Sequence, residues 1–185
     1  MPSIRSFQLL ARMAARITPH NCVPTPIQRR SLNTESLPTL YSACVKVVGA
    51  RKGHVEGENL TVDLTTAKAL GGPGQRGKTN PEELFAAGYG ACFQSAMNAV
   101  AANKGILMPT KPEDSAIKTT VHLFGDVTKL NMGLRVDMKV KVKGLEKWQL
   151  EDLVTETKKI CPYSKAIKGN IQTNVEVVDF NEDRL

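Results

Sequence analysis

The chain contains no Cys-x-x-Cys pair, and none of its four cysteines (Cys22, Cys44, Cys92 and Cys161) has histidines at zinc-finger spacing. That argues against a structural metal site, because tetrahedral zinc needs paired thiolate and imidazole ligands. No charge-free apolar run reaches the roughly 18 residues of a membrane-spanning helix. The nearest approach, around Cys92, is interrupted by Gly88, Gly90, Gln94, Ser95 and Asn98 and reads as a buried core helix. The glycine-dense "GGPGQRG" reads as a flexible loop with no hydroxyl or lysine at P-loop spacing, so its phosphate-binding signal is weak. No segment repeats, and 185 residues with 41% hydrophobic content accommodate one domain with a real core but not two.

Acidic residues are missing altogether from residues 1–34, which hold Arg5, Arg12, Arg16, Arg29 and Arg30. The whole chain has 25 basic and 18 acidic side chains, formally +7. With those five arginines set aside the rest carries only about +2, so the body gives no reason to expect nucleic-acid binding. In the leader, Ile4, Phe7, Leu10, Met13 and Ile17 recur every three to four residues among the arginines. This is an amphipathic helix with a cationic face, as in mitochondrial transit peptides; a disordered basic arm is the alternative. A secretory signal would need a longer apolar run. Residues 1–36 are therefore assigned to the leader, with removal near Arg29 and Arg30 and the mitochondrial matrix as address. Residues 37–185 form the folded domain.

Along that domain, "YSACVKVV" from Tyr41 and "LTVDLTT" from Leu60 read as strands, joined as a hairpin or meander by the turn chemistry of "GARKGHVEGEN". "TNPEELF" opens a helix: Asn80 can cap, Pro81 suits the first helical position, and Glu82 and Glu83 favour the positive dipole end. The helix is expected from Pro81 to about Asn103, apolar on most faces, with a dimer partner covering what one small sheet cannot. Strands follow from Ile117 and Leu134, the second alternating strictly. A helix over 145–160 turns Leu150, Leu153, Val154, Thr157 and then Cys161 to the core, and "IQTNVEVVDF" is a last strand. The order indicates an α+β domain with antiparallel sheet and helices on one face.

In a reducing compartment, a cysteine with a purpose is more often catalytic or redox-active than a staple. Cys92 is open to two readings, since free cysteine also packs as a small hydrophobe. Cys161 ends a helix among Lys158, Lys159, Lys165 and Lys168, which favour a thiolate if they turn towards it, whereas a helix C-terminus disfavours one. Arg51 is by its neighbours a turn residue, and Glu82 an acid at a helix N-terminus. His54 and His122 read as surface or packed residues, and Cys44 as packing.

"LGGPGQRGKTNPEELFAAGYGACF" and "CPYSKAIKGN", preceded by "YSACVKVVGARKG", closely resemble the two cysteine motifs of the Ohr/OsmC family, in particular its Ohr branch of organic hydroperoxide resistance proteins. The resemblance spans about Tyr41 to Val178. It implies an OsmC-like fold, an intertwined α+β homodimer with active sites at the subunit boundary, acting as a thiol peroxidase on organic and lipid hydroperoxides. Cys92 matches the peroxidatic cysteine, Cys161 the resolving one, Arg51 the catalytic arginine and Glu82 its partner. No bound cofactor or metal is implied; the reductant is dihydrolipoamide or a lipoylated protein. An OsmC-like peroxidase of other specificity, or a redox-sensing or stress-response binding module, is the alternative. Lys165 and Lys168 depart from the Ohr pattern, and Lys78 looks like an extra loop residue. Glu82 lies ten residues before Cys92, about 15 Å along a helix; to act in catalysis it must orient Arg51 across that gap, the helix must bend, or Glu82 must come from the other subunit.

Overall fold

Strict alternation along Leu134–Val142 needs a sheet with one dry face, and the computed structural model supplies it. The structure describes residues 37–180, and the chain divides into two units between Ser42 and Ala43. The leader reading and Cys22 fall outside the described residues.

The second unit holds two three-stranded sheets. The first is an antiparallel meander of β1 (Val45–Val48), β2 (His54–Gly57) and β3 (Thr61–Asp63). The segment expected only to turn thus contributes a strand of its own. β1 is exposed along its whole length, and Cys44 beside it is exposed rather than packed. The strand is formed as expected, but no element among the described residues covers it.

The second sheet has β4 (Ser115–Asp126) and β6 (Gln172–Val177) flanking β5 (Asn131–Val142). On the dry side of β5, Val136, Met138, Val140 and Val142 are buried. β4 pairs antiparallel with β5, but β6 pairs parallel to it. The chain between β5 and β6 runs through two helices, and that crossover returns the strand in the same direction.

Helix α1 (Pro81–Asn103) packs on β4 and against α2 (Lys147–Ile160) and α3 (Pro162–Ile167). Its start follows the local rules: Asn80 Oδ1 accepts the Glu83 backbone N–H at 2.9 Å, with Pro81 in the first turn. Tyr89, Phe93, Met97, Val100 and Ala101 are buried, while Ala87, Ala91, Ser95, Asn98 and Ala102 are exposed. The helix expected to be covered on several sides therefore leaves one face of small side chains open. α2 begins with a capping box between Glu146 and Gln149 and buries Leu150, Leu153, Val154 and Thr157. No helix of the described residues is long and apolar enough to cross a membrane.

Candidate active site

Proline after cysteine decides where the second thiol sits. Pro162 bars the helical conformation to its predecessor, and Cys161 takes φ −55°, ψ 123°. α2 ends there, and α3 begins with Pro162 at its first position. Cys161 is the shared cap of both helices, and it is fully buried because it continues the apolar stripe of α2.

Opposite it, α1 presents Phe85, Gly88, Tyr89 and Cys92 at spacings of three and four, one helical face. Cys92 Sγ lies 3.7 Å from Cys161 Sγ. Gly88 faces Tyr163, where a Cβ would make an ordinary 3.4 Å contact with the ring, so that seat does not require a glycine. A Cβ on Gly90 would stand 2.8 Å from Thr119 Oγ1 on β4, so there the missing side chain lets α1 rest on the sheet. Around the thiols the rings of Phe85, Tyr89 and Tyr163 gather, with centroids 6.0 to 6.4 Å apart. The Tyr89 hydroxyl is 2.9 Å from Ser164 Oγ.

Burial pushes the Cys92 thiol up from its ordinary range; the Tyr163 backbone N–H at the start of α3 opposes this, and the neighbouring Cys161 adds to it. Left to these groups, Cys92 is a protonated thiol at neutral pH.

Arg51 sits in a short 3-10 turn, Ala50–Lys52. Its guanidinium forks onto Glu82, Nη1 to Oε2 at 2.8 Å and Nη2 to Oε1 at 2.6 Å. The hydrogen bonds from Arg51 hold the Glu82 carboxyl below its ordinary range, and the same pair raises the guanidinium. Ala50 adopts φ 48°, a left-handed conformation that costs a non-glycine residue about 1 kcal/mol. The structure thus joins Cys92 to Cys161 and Arg51 to Glu82, but it does not bring the expected arginine to the Cys92 sulfur. The reason is the helix: Glu82 is in its first turn and Cys92 ten residues on, about 15 Å away.

The glycine loop needs a correction. Gly72–Thr79 does spell G-x-x-x-x-G-K-T, the spacing of a phosphate-binding loop. Its backbone is nevertheless committed elsewhere: Gly74 N–H donates to Thr66 O, Lys78 N–H to Gln75 O and Thr79 N–H to Asp63 O. The Lys78 ammonium lies 3.9 Å from Asp63, so Lys78 serves the edge of the first sheet. His54 and His122 bond Asp63 and Asp137, and Lys165 and Lys168 are exposed. Sequence reasoning missed Tyr89, Tyr163 and Ser164; Tyr89, three residues before Cys92 on α1, was open to detection by helical spacing.

The α+β fold thus holds two free thiols in contact, 3.7 Å apart, beside a cluster of aromatic rings. The chain belongs to the OsmC-like protein family, whose profile matches residues 72–176. It is similar to an organic hydroperoxide resistance protein of Xanthomonas axonopodis pv. citri, 38% identical over 138 residues that cover 74% of this chain and 93% of the relative. The organic hydroperoxide resistance protein OhrA of Bacillus subtilis is 38% identical, covering 76% of this chain and 97% of its own. Among solved structures, an organic hydroperoxide resistance protein OsmC from Legionella pneumophila superposes with a TM-score of 0.68 at 39% identity, covering 76% of this chain and 98% of that one. A counterpart from Vibrio cholerae, with captopril in one of its active sites, superposes with a TM-score of 0.68 at 33% identity, covering 77% and 94%.

Proposed function

We propose that this protein is a thiol peroxidase that reduces organic and lipid hydroperoxides to alcohols. The observation that carries the reading is the 3.7 Å contact of Cys92 and Cys161 beneath Phe85, Tyr89 and Tyr163, in a chain whose relatives are named for organic hydroperoxide resistance. The Cys92 thiolate attacks one oxygen of the peroxide; the O–O bond breaks, and the departing alkoxide takes a proton to leave as the alcohol. Cys92 is left as a sulfenic acid. Attack by Cys161 then forms the disulfide and releases water. A dithiol reopens it by exchange, restoring two thiols at the cost of its own two electrons. The family resemblance supports dihydrolipoamide or a lipoylated protein as that dithiol, and the arginine-rich leader supports the mitochondrial matrix as the place where the two meet. Recovery of the chain from isolated mitochondria at its full 185 residues would count against processing there.

Cys92 needs a fixed positive charge to be a thiolate at neutral pH. The Arg51–Glu82 pair is the candidate, and since one helix separates it from its own Cys92, we assign it to the Cys92 of a second copy. The exposed small face of α1 and the uncovered β1 are where that copy would pack, which makes the working unit a homodimer.

The test is consumption of tert-butyl and fatty-acid hydroperoxides with dihydrolipoamide, for wild type and Cys92→Ser. Lipoyl-dependent turnover that vanishes in the variant is expected; activity surviving the substitution, or no turnover with any hydroperoxide, sinks the reading. The raised Cys92 thiol favours one rival, a redox sensor that forms the disulfide without fast turnover, and the same assay separates the two by rate.

A further inference from the structure

We infer that the hydrogen bond between Tyr89 and Ser164 is a latch that holds the resolving turn against the peroxidatic helix, and that it decides whether oxidised Cys92 closes to a disulfide or is oxidised further. The inference rests on the peroxidase reading for its consequences, though not for its geometry.

Tyr89 is 1% exposed and lies three residues before Cys92; Ser164 lies three residues after Cys161. Their 2.9 Å contact ties the same two segments that carry the sulfurs. Burial raises the pKa of the Tyr89 hydroxyl above its ordinary value and keeps it protonated. The phenol keeps its proton, and the contact with Ser164 forms with either oxygen as donor. Its ring is wedged between Phe85, Phe93 and Tyr163, so the hydroxyl has little freedom to follow a drifting partner.

The chemistry makes small displacements matter. A disulfide needs sulfurs about 2.05 Å apart, against 3.7 Å between the thiols. The sulfenic acid at Cys92 has two fates: Cys161 sulfur bonds to Cys92 sulfur and water leaves, or a second hydroperoxide transfers an oxygen, giving sulfinic acid and a second alcohol. The first is unimolecular and depends on near-attack geometry; the second depends only on hydroperoxide concentration. A turn released from Tyr89 loses the first race and not the second. Tyr89 and Ser164 are thus positioning residues, acting through Cys161.

Tyr89→Phe keeps the ring and removes only the oxygen, Ser164→Ala removes the partner, and Ser164→Thr keeps a hydroxyl. In Tyr89→Phe and Ser164→Ala, disulfide closure should slow about tenfold relative to the oxidation of Cys92 by one equivalent of cumene hydroperoxide measured in the same variant, the effect of one hydrogen bond lost from the closing geometry. Mass spectrometry should find sulfinic acid at Cys92 at correspondingly lower hydroperoxide, and Ser164→Thr should restore closure. In a glutathione redox buffer, which needs no peroxidase activity, the effective concentration of the two thiols should also fall. Closure rates and effective concentrations equal to wild type in both hydroxyl-deleted variants overturn the latch. A wild type inert to hydroperoxide whose effective concentration still falls in the variants leaves the latch standing and removes the peroxidase reading instead.

Discussion

In the proposed reaction each of the two sulfurs has a separate task, and removing them one at a time separates the tasks. Cys161→Ser leaves Cys92 free to react once: a burst of one hydroperoxide per chain is expected, then a stall, with a dimedone adduct at Cys92 in the mass spectrum. Continued turnover with dihydrolipoamide at the wild-type rate would show that Cys161 is not the resolving thiol. Ionisation of Cys92 is the second matter at this scale. Burial raises its pKa above the ordinary 9.0, so with no added cation the reactive fraction grows about tenfold per pH unit below that pKa. A guanidinium delivered to the sulfur shifts that rise to lower pH. Iodoacetamide alkylation of Cys92, followed from pH 5 to 10, should therefore rise at lower pH in wild type than in Arg51→Ala; identical profiles would remove Arg51 from the sulfur. Cys92 was visible in the sequence as a thiol on an apolar helix, but its reactivity was not, because burial and reactivity leave the same local pattern.

At the scale of elements, close approach is the governing quantity. Gly90 lets α1 rest on Thr119, whose buried hydroxyl has no hydrogen-bond partner among the described residues. Gly90→Ala should cost about 1–3 kcal/mol through overpacking, and Thr119→Ala in the same chain should recover most of it, since it removes the obstructing oxygen. Urea denaturation of the two single variants and the double variant measures the coupling; additive losses would mean the contact is not the cause. The Arg51–Glu82 pair has a pH signature of its own. Because Glu82 titrates below its ordinary 4.5 in the folded chain, its contribution is present above that value and is lost as pH falls through the lower folded pKa. Glu82→Gln should lower stability by about 1 kcal/mol at pH 7 and flatten the acid limb; an unchanged acid limb would contradict the linkage. Elements with a cap or a period were legible: α1 runs from Pro81 to Asn103, as Asn80, Pro81 and the apolar pattern require, and the β5 alternation marks its buried face. The parallel seat of β6 was not legible, because alternation reports which side of a strand is dry and says nothing of its neighbour's direction. The contact of Cys92 with Cys161, 69 residues apart in sequence, was reached only through the family resemblance, since no local rule relates them.

For the whole molecule the question is whether one chain contains one complete site. Within the chain, Arg51 is bound to Glu82, and Glu82 stands about 15 Å from Cys92 along their common helix. Meanwhile Ala87, Ala91, Ser95, Asn98 and Ala102 face outward at helical spacing, and Val45, Val47 and Val48 are about half exposed. The proposed two-fold pair would account for both facts at once, since a symmetric interface presents each surface to its copy. The consequence is a complementation test. Cys92→Ser retains Arg51 and Glu82 but has no nucleophile; Arg51→Ala retains the nucleophile but has no cation. Each alone should turn over slowly or not at all. Co-refolded in equal amounts, half of the dimers are mixed, and each mixed dimer has one site assembled from the intact Cys92 of one chain and the intact Arg51 of the other. About a quarter of wild-type turnover should then return. No recovery, in a mixture that native mass spectrometry finds to contain the mixed dimer, would return Arg51 and Cys92 to a single chain, and α1 would have to bend to let them meet.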